Sequence, residues 1–550
     1  DLFREAWRRV VCGSDALRTR IIEHDDGGGR PILDADGSPT AVVDFSQRVD
    51  PESEFRRWCR DRCARPLAPG GKLTDSVLVR LGEGRSGWYL NQHHLVADAW
   101  STQLLSRRGG AEYEDLLEEK DRERPSLRDP YYSTVAALPA RSAERKSALE
   151  HWTARRERQG RAVPFYGRNG VPVGTPSSRL TLELDEDRSR ALGRLSRQDG
   201  FLSLSEDLSR FSLFATLLVT WLHRISGQTD LGFDAPVAGR PTPEARRALG
   251  LFVELLPFAA TVEPQDTFRS LGARCLEEAK LFLRHALPGM STPSGATASN
   301  IVLNYVPVQF GTFAGVPVEV EWVHPGHGDS VHALRLQVHD FAGSGRTTLH
   351  FDFNEGALPE PLRRRSLKHF AKVLDACLDD PDRPIASIDV LVDDERQALS
   401  ALNMKKSPPL PDRSVVAMFR AQTDLYPDRV ALRQGELELS FAAVAEQSDA
   451  LAASLVAQGV EPGDRVAIFS RRSTLAVIAI LATLKARAAY VPIDASVPRA
   501  RLDHTLRDSG ARVLLVGEGG ETSEPVTSVT NLNVLSIAEG VRTGQGATLD

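Results

Sequence analysis

Cysteine is sparse in this chain: five in 550 residues, at positions 12, 59, 63, 275 and 377. Only Cys59 and Cys63 lie close, at the i,i+4 spacing of a helix. A bond between them would constrain little, and no second pair completes a zinc set. Reduced thiols in a cytoplasmic protein, with no metal site, are therefore expected. Long apolar runs are missing too. The longest, Leu475 to Leu484, leads straight into Lys485, and a membrane helix needs about 20 apolar residues. No secretory leader opens the chain. It begins inside a helical pattern, Leu2-Phe3-Arg4-Glu5-Ala6-Trp7, so the first domain is expected to start upstream. Neither sign of charge dominates, with 68 Lys and Arg against 74 Asp and Glu, a net charge of -6. That balance offers no field for nucleic acid or an anionic membrane. Repeats and low-complexity runs are absent. The remainder is ordinary globular composition, 41% hydrophobic and 26% charged, with length for about three to four domain-sized units.

Local patterns divide the chain. Residues 2–11 place Leu2, Phe3, Ala6, Trp7 and Val10 on one helical face. Residues 74–80 and 87–92 read as strands joined by a Gly82-Glu83-Gly84 turn. The second strand runs into His93-His94, and a helix follows over about Trp100 to Arg107. A charged helix spans about Ala143 to Arg158. The Gly/Pro-rich stretch from Arg161 to Ser178 reads as a linker between two lobes. Beyond it come strands at Arg179–Leu184, Asp230–Phe233, Ile301–Tyr305, Val318–Trp322, Leu334–Asp340 and Thr347–Phe353, with helices over Phe211–Ile225 and Glu360–Asp379. Lys405 to Pro411 reads as an interdomain linker. After it, helices near Phe441–Gln458 and Thr474–Ala486 alternate with short strands at Val466–Phe469 and Val513–Val516, which argues for an open α/β sheet. The expected divisions are 1–160, 161–400, a linker at 401–413, and 414–550.

The sharpest chemical signal is Asn91-Gln92-His93-His94-Leu95-Val96-Ala97-Asp98-Ala99-Trp100-Ser101. Two histidines at a strand end, four residues from a carboxylate, sit where a scaffold displays reactive groups. On a strand, neighbours face opposite ways, so only one imidazole can enter a given channel. Elsewhere the titratable groups are unremarkable. His332, His339 and His350 lack metal-ligand spacing. Gly27-Gly28-Gly29 is a turn with no helix after it, not a phosphate loop. Arg363-Arg364-Arg365 reads as a solvated helix face.

These residues keep informative company. His93, His94 and Asp98 match His-His-x-x-x-Asp-Gly, with Ala99 in place of the glycine. Leu17-Arg18-Thr19, Gly239-Arg240-Pro241, Gly250-Leu251-Phe252-Val253, Asn304-Tyr305 and Phe351-Asp352-Phe353-Asn354 follow in order. On these elements the first 400 residues or so resemble a condensation domain of a non-ribosomal peptide synthetase. Leu484-Lys485-Ala486-Arg487-Ala488-Ala489-Tyr490-Val491-Pro492-Ile493-Asp494 resembles the start of an adenylation domain, with Arg487 where glycine is usual. Glu254-Leu255 stand where Asn-Thr is common, and the family's His-Gln-Asp segment is not recognisable near His285.

The resemblance implies an α/β fold: two chloramphenicol-acetyltransferase-like lobes in a V-shaped condensation domain, then part of an adenylation N-terminal subdomain. It implies amide formation between an upstream carrier-bound acyl or peptidyl thioester and a downstream carrier-bound aminoacyl amine. The partners implied are the two carrier domains and the chain's own adenylation domain, with no nucleic acid or membrane. Substrates would ride on phosphopantetheine; ATP and magnesium would serve only a complete adenylation domain, whose phosphate loop and lysine are not found in 414–550. His94 is the expected catalytic residue, chiefly positioning the amine. His93 is expected to be structural. By resemblance Asp98 pairs with Arg18 to pin the loop. Ala99 would border a tight passage, Trp100 fits a core position, and Asn304 either reaches the channel or makes an ordinary strand-end hydrogen bond. An ester-forming relative of the same fold and a degenerate, partner-recruiting domain are the alternatives.

Overall fold

The computed structural model describes residues 1–23, 29–120, 131–138, 142–158, 162–168, 171–291, 299–339, 347–403, 414–520 and 532–544. Gly27, Gly28, Asp340, Arg161 and the predicted linker Lys405–Pro411 lie outside the described residues. The chain divides into two compact units, Asp1–Asn403 and Met404–Asp550.

The first unit opens with α1 (Leu2–Gly13), which buries Ala6, Trp7, Val10 and Val11. Strands β1 (Thr19–Glu23) and β2 (Gly29–Leu33) form an antiparallel pair. A three-stranded sheet follows, in the order β3 (Thr40–Asp44), β4 (Thr74–Gly82), β5 (Arg85–Gln92). The hairpin between β4 and β5 turns where expected, with Gly82, Glu83 and Gly84 all at positive φ, the twist that tight hairpins favour. Helix α2 (Pro51–Cys63) packs Phe55, Trp58 and Cys59 on one sheet face against Val77, Val79 and Tyr89. On the other face, Trp88 and Leu90 meet Trp7, Leu17 and Leu105, the last on α3 (Ala99–Leu117). Helices α4 (Tyr131–Ala136) and α5 (Ser142–Arg158) follow.

The larger sheet comprises β6 (Ser177–Glu183), β7 (Asp230–Ala238), β8 (Val253–Thr261), β9 (Ile301–Val306), β12 (Leu334–His339) and β13 (Thr348–Asn354), ordered β6-β13-β12-β9-β7-β8; the short pair β10 (Thr312–Phe313) and β11 (Val316–Pro317) stands apart. Its helices are α6 (Glu186–Leu195), α7 (Glu206–Ser226), α8 (Pro243–Arg247), α9 (Phe268–His285), α10 (Glu360–Asp379) and α11 (Asp393–Asn403). Alternation along the strands sends Leu334, Leu336, Leu349, Phe351 and Phe353 into one core with Leu217, Trp221 and Phe370. Each such side chain, fully buried, contributes about 1.5–3 kcal/mol. The opposite face is polar. Arg179 Nε and Nη2 hold Asp352 at 2.6 and 2.8 Å, and Gln337 also donates to that carboxylate.

Four expectations change here. Residues 161–178 are more than a linker, because Val163 and Phe165 enter the main core. Helix α5, read with the first lobe, buries Ala148 and Trp152 in that same core, with Trp152 Nε1 donating to the His285 carbonyl at 2.9 Å. Val318–Trp322 forms no strand; Val318, Val320 and Trp322 pack instead on Val306, Val308 and Phe310. Arg363 is buried and binds Ser178 and Glu355, unlike its solvated neighbours.

The second unit alternates α12 (Val415–Leu425), the hairpin β14 (Val430–Gln434) and β15 (Leu437–Ser440), α13 (Phe441–Ala457), β16 (Arg465–Ser470), α14 (Thr474–Lys485), β17 (Ala489–Asp494), α15 (Arg499–Ser509), β18 (Val513–Val516), β19 (Asn533–Ser536) and α16 (Ile537–Thr543). Four strands make a wholly parallel sheet, β17-β16-β18-β19. Cores lie on both faces, one built on Val466, Ile468 and Leu515, the other on Ala467, Phe469 and Leu514. Near-continuous apolar strands are what a parallel sheet buried on both faces requires.

Candidate active site

Strand β5 ends at Gln92, so both histidines stand on the loop that follows rather than on the strand. Strand alternation therefore does not orient them; the loop's own hydrogen bonds do. The His93 amide donates to the Leu73 carbonyl at 2.8 Å, and Val96 N returns to the His93 carbonyl at 3.0 Å. The Leu95 amide donates to His93 Nδ1 at 3.1 Å. This bond needs a neutral acceptor nitrogen. Burial and the neighbouring His94 also push the His93 pKa down. His93 is thus a loop-forming residue. His94 is exposed and makes no hydrogen bond among the described residues, which leaves both ring nitrogens open to a substrate.

The loop closes on Asp98, the N-cap of α3, whose Oδ1 accepts from Ser101 N and Ser101 Oγ, both at 2.8 Å. An aspartate preceding a helical run satisfies amides that would otherwise lack partners. The same carboxylate reaches the other side of the unit. Arg240 Nη2 lies 3.0 Å from each carboxylate oxygen, and Phe252 N donates to Oδ2 at 3.0 Å. The ion pair is buried, with side-chain exposures of 2% and 6%. Arg240 Nη1 donates to the Ala245 and Ala248 carbonyls at 2.5 and 2.6 Å, and its guanidinium stacks 4.2 Å from the Phe252 ring centroid. A planar, always-charged fork serves such a site better than lysine.

Arg18 is not the partner of Asp98. Its Nη2 binds Asp15 at 3.2 Å, three residues back in the turn before β1. A local carboxylate holds this arginine, while Asp98 is already filled by Arg240, Ser101 and Phe252. The Leu-Arg-Thr element is structural in another way. Leu17 is buried beside Trp7, Leu105 and Leu249, and Thr19 Oγ1 pairs with the Tyr132 hydroxyl at 2.7 Å. The signal for Arg240 lay in the Gly239-Arg240-Pro241 element, but its reach to Asp98 spans 142 residues, and no local pattern reports that. Two glycines make the approach possible. A Cβ on Gly239 would stand 2.3 Å from the Phe252 carbonyl oxygen. Gly250 has φ of 143°, and a Cβ there would meet the Tyr131 ring at 2.1 Å.

The other named residues separate. Ala99 packs against the Val306, Val308 and Phe310 cluster. Trp100 is no core residue: it is 37% exposed, and its Nε1 donates to the Arg246 carbonyl at 2.9 Å. Asn304 lies on the polar sheet face with Nδ2 3.4 Å from Gln337 Oε1. Its observed bond is the strand-to-strand one. His339 and His350, ring centroids 4.9 Å apart, lie on that same face; burial drives their pKa values down to about 3 and about 4. His332 lies between two carboxylates, 2.9 Å from Asp329 and 3.3 Å from Asp234. Among the described residues no cluster of His, Cys, Asp or Glu is arranged to hold a metal, and no helix is long and apolar enough to cross a membrane.

Comparison with known proteins follows the same division. Residues 1–400 match the family model "Condensation domain", and residues 419–546 match "AMP-binding enzyme". The chain belongs to the condensation-domain family of non-ribosomal peptide synthetases. A linear gramicidin synthase of Brevibacillus parabrevis is 27% identical over 541 residues, 94% of this chain and 10% of that protein. Phosphinothricin tripeptide synthetase PhsB of Streptomyces viridochromogenes is 29% identical, over 92% of this chain and 44% of that protein. The chain thus spans less than half the length of these relatives. Among solved structures, the non-ribosomal peptide synthetase FmoA3 matches with a TM-score of 0.69 at 20% identity, covering 100% of this chain and 57% of that one. The starter condensation domain of rhizomide synthetase RzmA matches with a TM-score of 0.59 at 22% identity, covering 71% of this chain and 89% of that one. At these identities the structural likeness concerns the fold. The condensation domain here is followed by the beginning of an adenylation domain in the same chain.

Proposed function

We propose that the condensation domain forms an amide between an acyl or peptidyl thioester on an upstream carrier and the α-amine of an aminoacyl thioester on a downstream carrier, both borne on phosphopantetheine. The amine nitrogen attacks the thioester carbon, the C–S bond breaks, and the donor arm leaves as its thiol. The observation that supports this reading is the state of His94: an exposed imidazole with no hydrogen-bond partner among the described residues, on a loop whose far end is locked by the Asp98–Arg240 pair. Such fixed placement of a reactant relative to its partner is a large source of rate. An α-amine has a pKa of about 7.7–8.0, so a useful fraction is already neutral near pH 7. His94 therefore acts mainly by accepting a hydrogen bond from the attacking amine, with proton acceptance as the smaller share. Ala99 and Asn304 are the residues proposed to border the substrates. ATP and magnesium belong to a complete adenylation domain, and no adenylation is expected from residues 414–550.

The test is intact-protein mass spectrometry of loaded donor and acceptor carriers mixed with this chain. The donor's acyl mass should move to the acceptor carrier, and His94→Ala should reduce that transfer by orders of magnitude while keeping the melting temperature. Transfer at the wild-type rate in the variant refutes the assignment.

A further inference from the structure

The first turn of α3 fastens three elements with three consecutive side chains. Ser101 Oγ lies 2.6 Å from the Gly250 carbonyl oxygen. Gln103 Nε2 donates to the Gln309 carbonyl at 2.5 Å. Between them, Thr102 turns back to the strand that leads into the histidines: its Oγ1 lies 3.1 Å from Gln92 Oε1. Gln92 is the last residue of β5, two before His94, and Thr102 comes eight after it. The Thr102 hydroxyl also lies 3.1 Å from the Asp98 carbonyl oxygen. One hydroxyl thus joins the start of the loop, its end and the helix that follows. A hydroxyl has one proton and two lone pairs, and a carboxamide both donates and accepts, so both pairings can be satisfied together.

This geometry matters because of what His94 lacks. With no hydrogen bond of its own among the described residues, its ring takes its direction from the backbone of residues 93–98. Beyond the bonds within the loop and the Asp98 cap on α3, its ties run elsewhere: His93 N to the carbonyl of Leu73, beside β4, and Asp98 to Arg240 and Phe252. Among the described residues, Gln92–Thr102 is the side-chain bond that joins the two stems of the loop directly to each other.

We propose that Gln92 and Thr102 are positioning residues for His94, a staple at the base of the loop that fixes the direction of the imidazole. The inference rests on the reading of His94 as the group that meets the amine. Thr102→Val removes the hydroxyl at nearly constant volume, and Thr102→Ser keeps it. In single-turnover condensation Thr102→Val should lower the rate about tenfold or more, the scale on which small misplacements of reacting groups act. Affinity for the acceptor carrier should not change, and Thr102→Ser should restore the rate. In a His94→Ala background the valine should cost nothing further. A second readout needs no substrate. In protein labelled with ¹⁵N-histidine, the His94 ring signals, identified by their loss in His94→Ala, should shift in Thr102→Val and return in Thr102→Ser. Gln92→Leu should produce the same shift and replaces the valine variant if that one fails to fold. Unmoved His94 signals overturn the staple, as does an equal valine loss with and without His94. A shifted signal in a protein whose wild type condenses nothing keeps the staple and discards the proposed reaction.

Discussion

Asp98 and Arg18 separate two roles that a motif alone merges. Asp98 gathers Ser101, Arg240 and Phe252 on one buried carboxylate, whereas Arg18 holds a half-buried neighbour three residues away. Breaking a buried pair leaves a charge without its partner and typically costs ~3–5 kcal/mol. A local pair that keeps contact with water is worth about 1 kcal/mol or less. Arg240→Ala and Asp98→Ala should therefore lower the stability of the first unit severely in denaturant titrations, and Arg18→Ala only slightly. Equal losses for Arg18→Ala and Arg240→Ala would refute the pairing. A second residue-scale prediction concerns Arg487, which stands where the adenylation family usually has glycine and adopts φ of 60°. That conformation costs an ordinary side chain about 1–2 kcal/mol. Arg487→Gly should raise the melting temperature of the second unit, with a gain of about 1 kcal/mol. An unchanged or lower transition in calorimetry would show that the arginine side chain compensates for the strain.

Between elements, α5 and α9 meet through an imidazole stack. The rings of His151 and His285 lie 4.2 Å apart at an interplanar angle of 12°. Burial lowers both pKa values, His151 to about 4, with further depression from His285 and Arg155 on the first and from Arg284 on the second. The Arg155–Glu278 pair lies across the same two helices. The unfolded chain binds protons at these histidines below its pKa of about 6.5 while the folded stack resists them. Stability is thus fully present above pH 6.5 and falls between about 6.5 and 4. Replacing both histidines with phenylalanine should make that stretch of the stability–pH curve less steep, leaving the share of the other depressed histidines, His339 and His350 among them; an unchanged slope there would contradict it. Element reading from sequence succeeded where a period was strong. The α1 face, the β4–β5 turn and the parallel strands of the second unit follow from local alternation and turn chemistry. It failed where tertiary contacts decide. Val318 and Val320 alternate like a strand but find an apolar cluster instead of a partner strand, and Trp152 on a charged helix reports nothing of the core it enters.

At the scale of the whole molecule, the family was legible because its elements occur in order over several hundred residues, from Leu17-Arg18-Thr19 to Phe351-Asp352-Phe353-Asn354. The partner of Asp98 was not, because an ion pair between residues 142 positions apart exists only after folding. The same holds for His94, whose lack of hydrogen bonds among the described residues is a property of the folded loop. The central claim is that this imidazole orients a neutral amine for attack. Single-turnover condensation measured against pH, for wild type and His94→Ala, tests it most directly. Between about pH 7.5 and 9 the expected rate rises through the amine range of about 7.7–8.0, with the variant's rate orders of magnitude lower throughout. Coincident curves for the two proteins would contradict it.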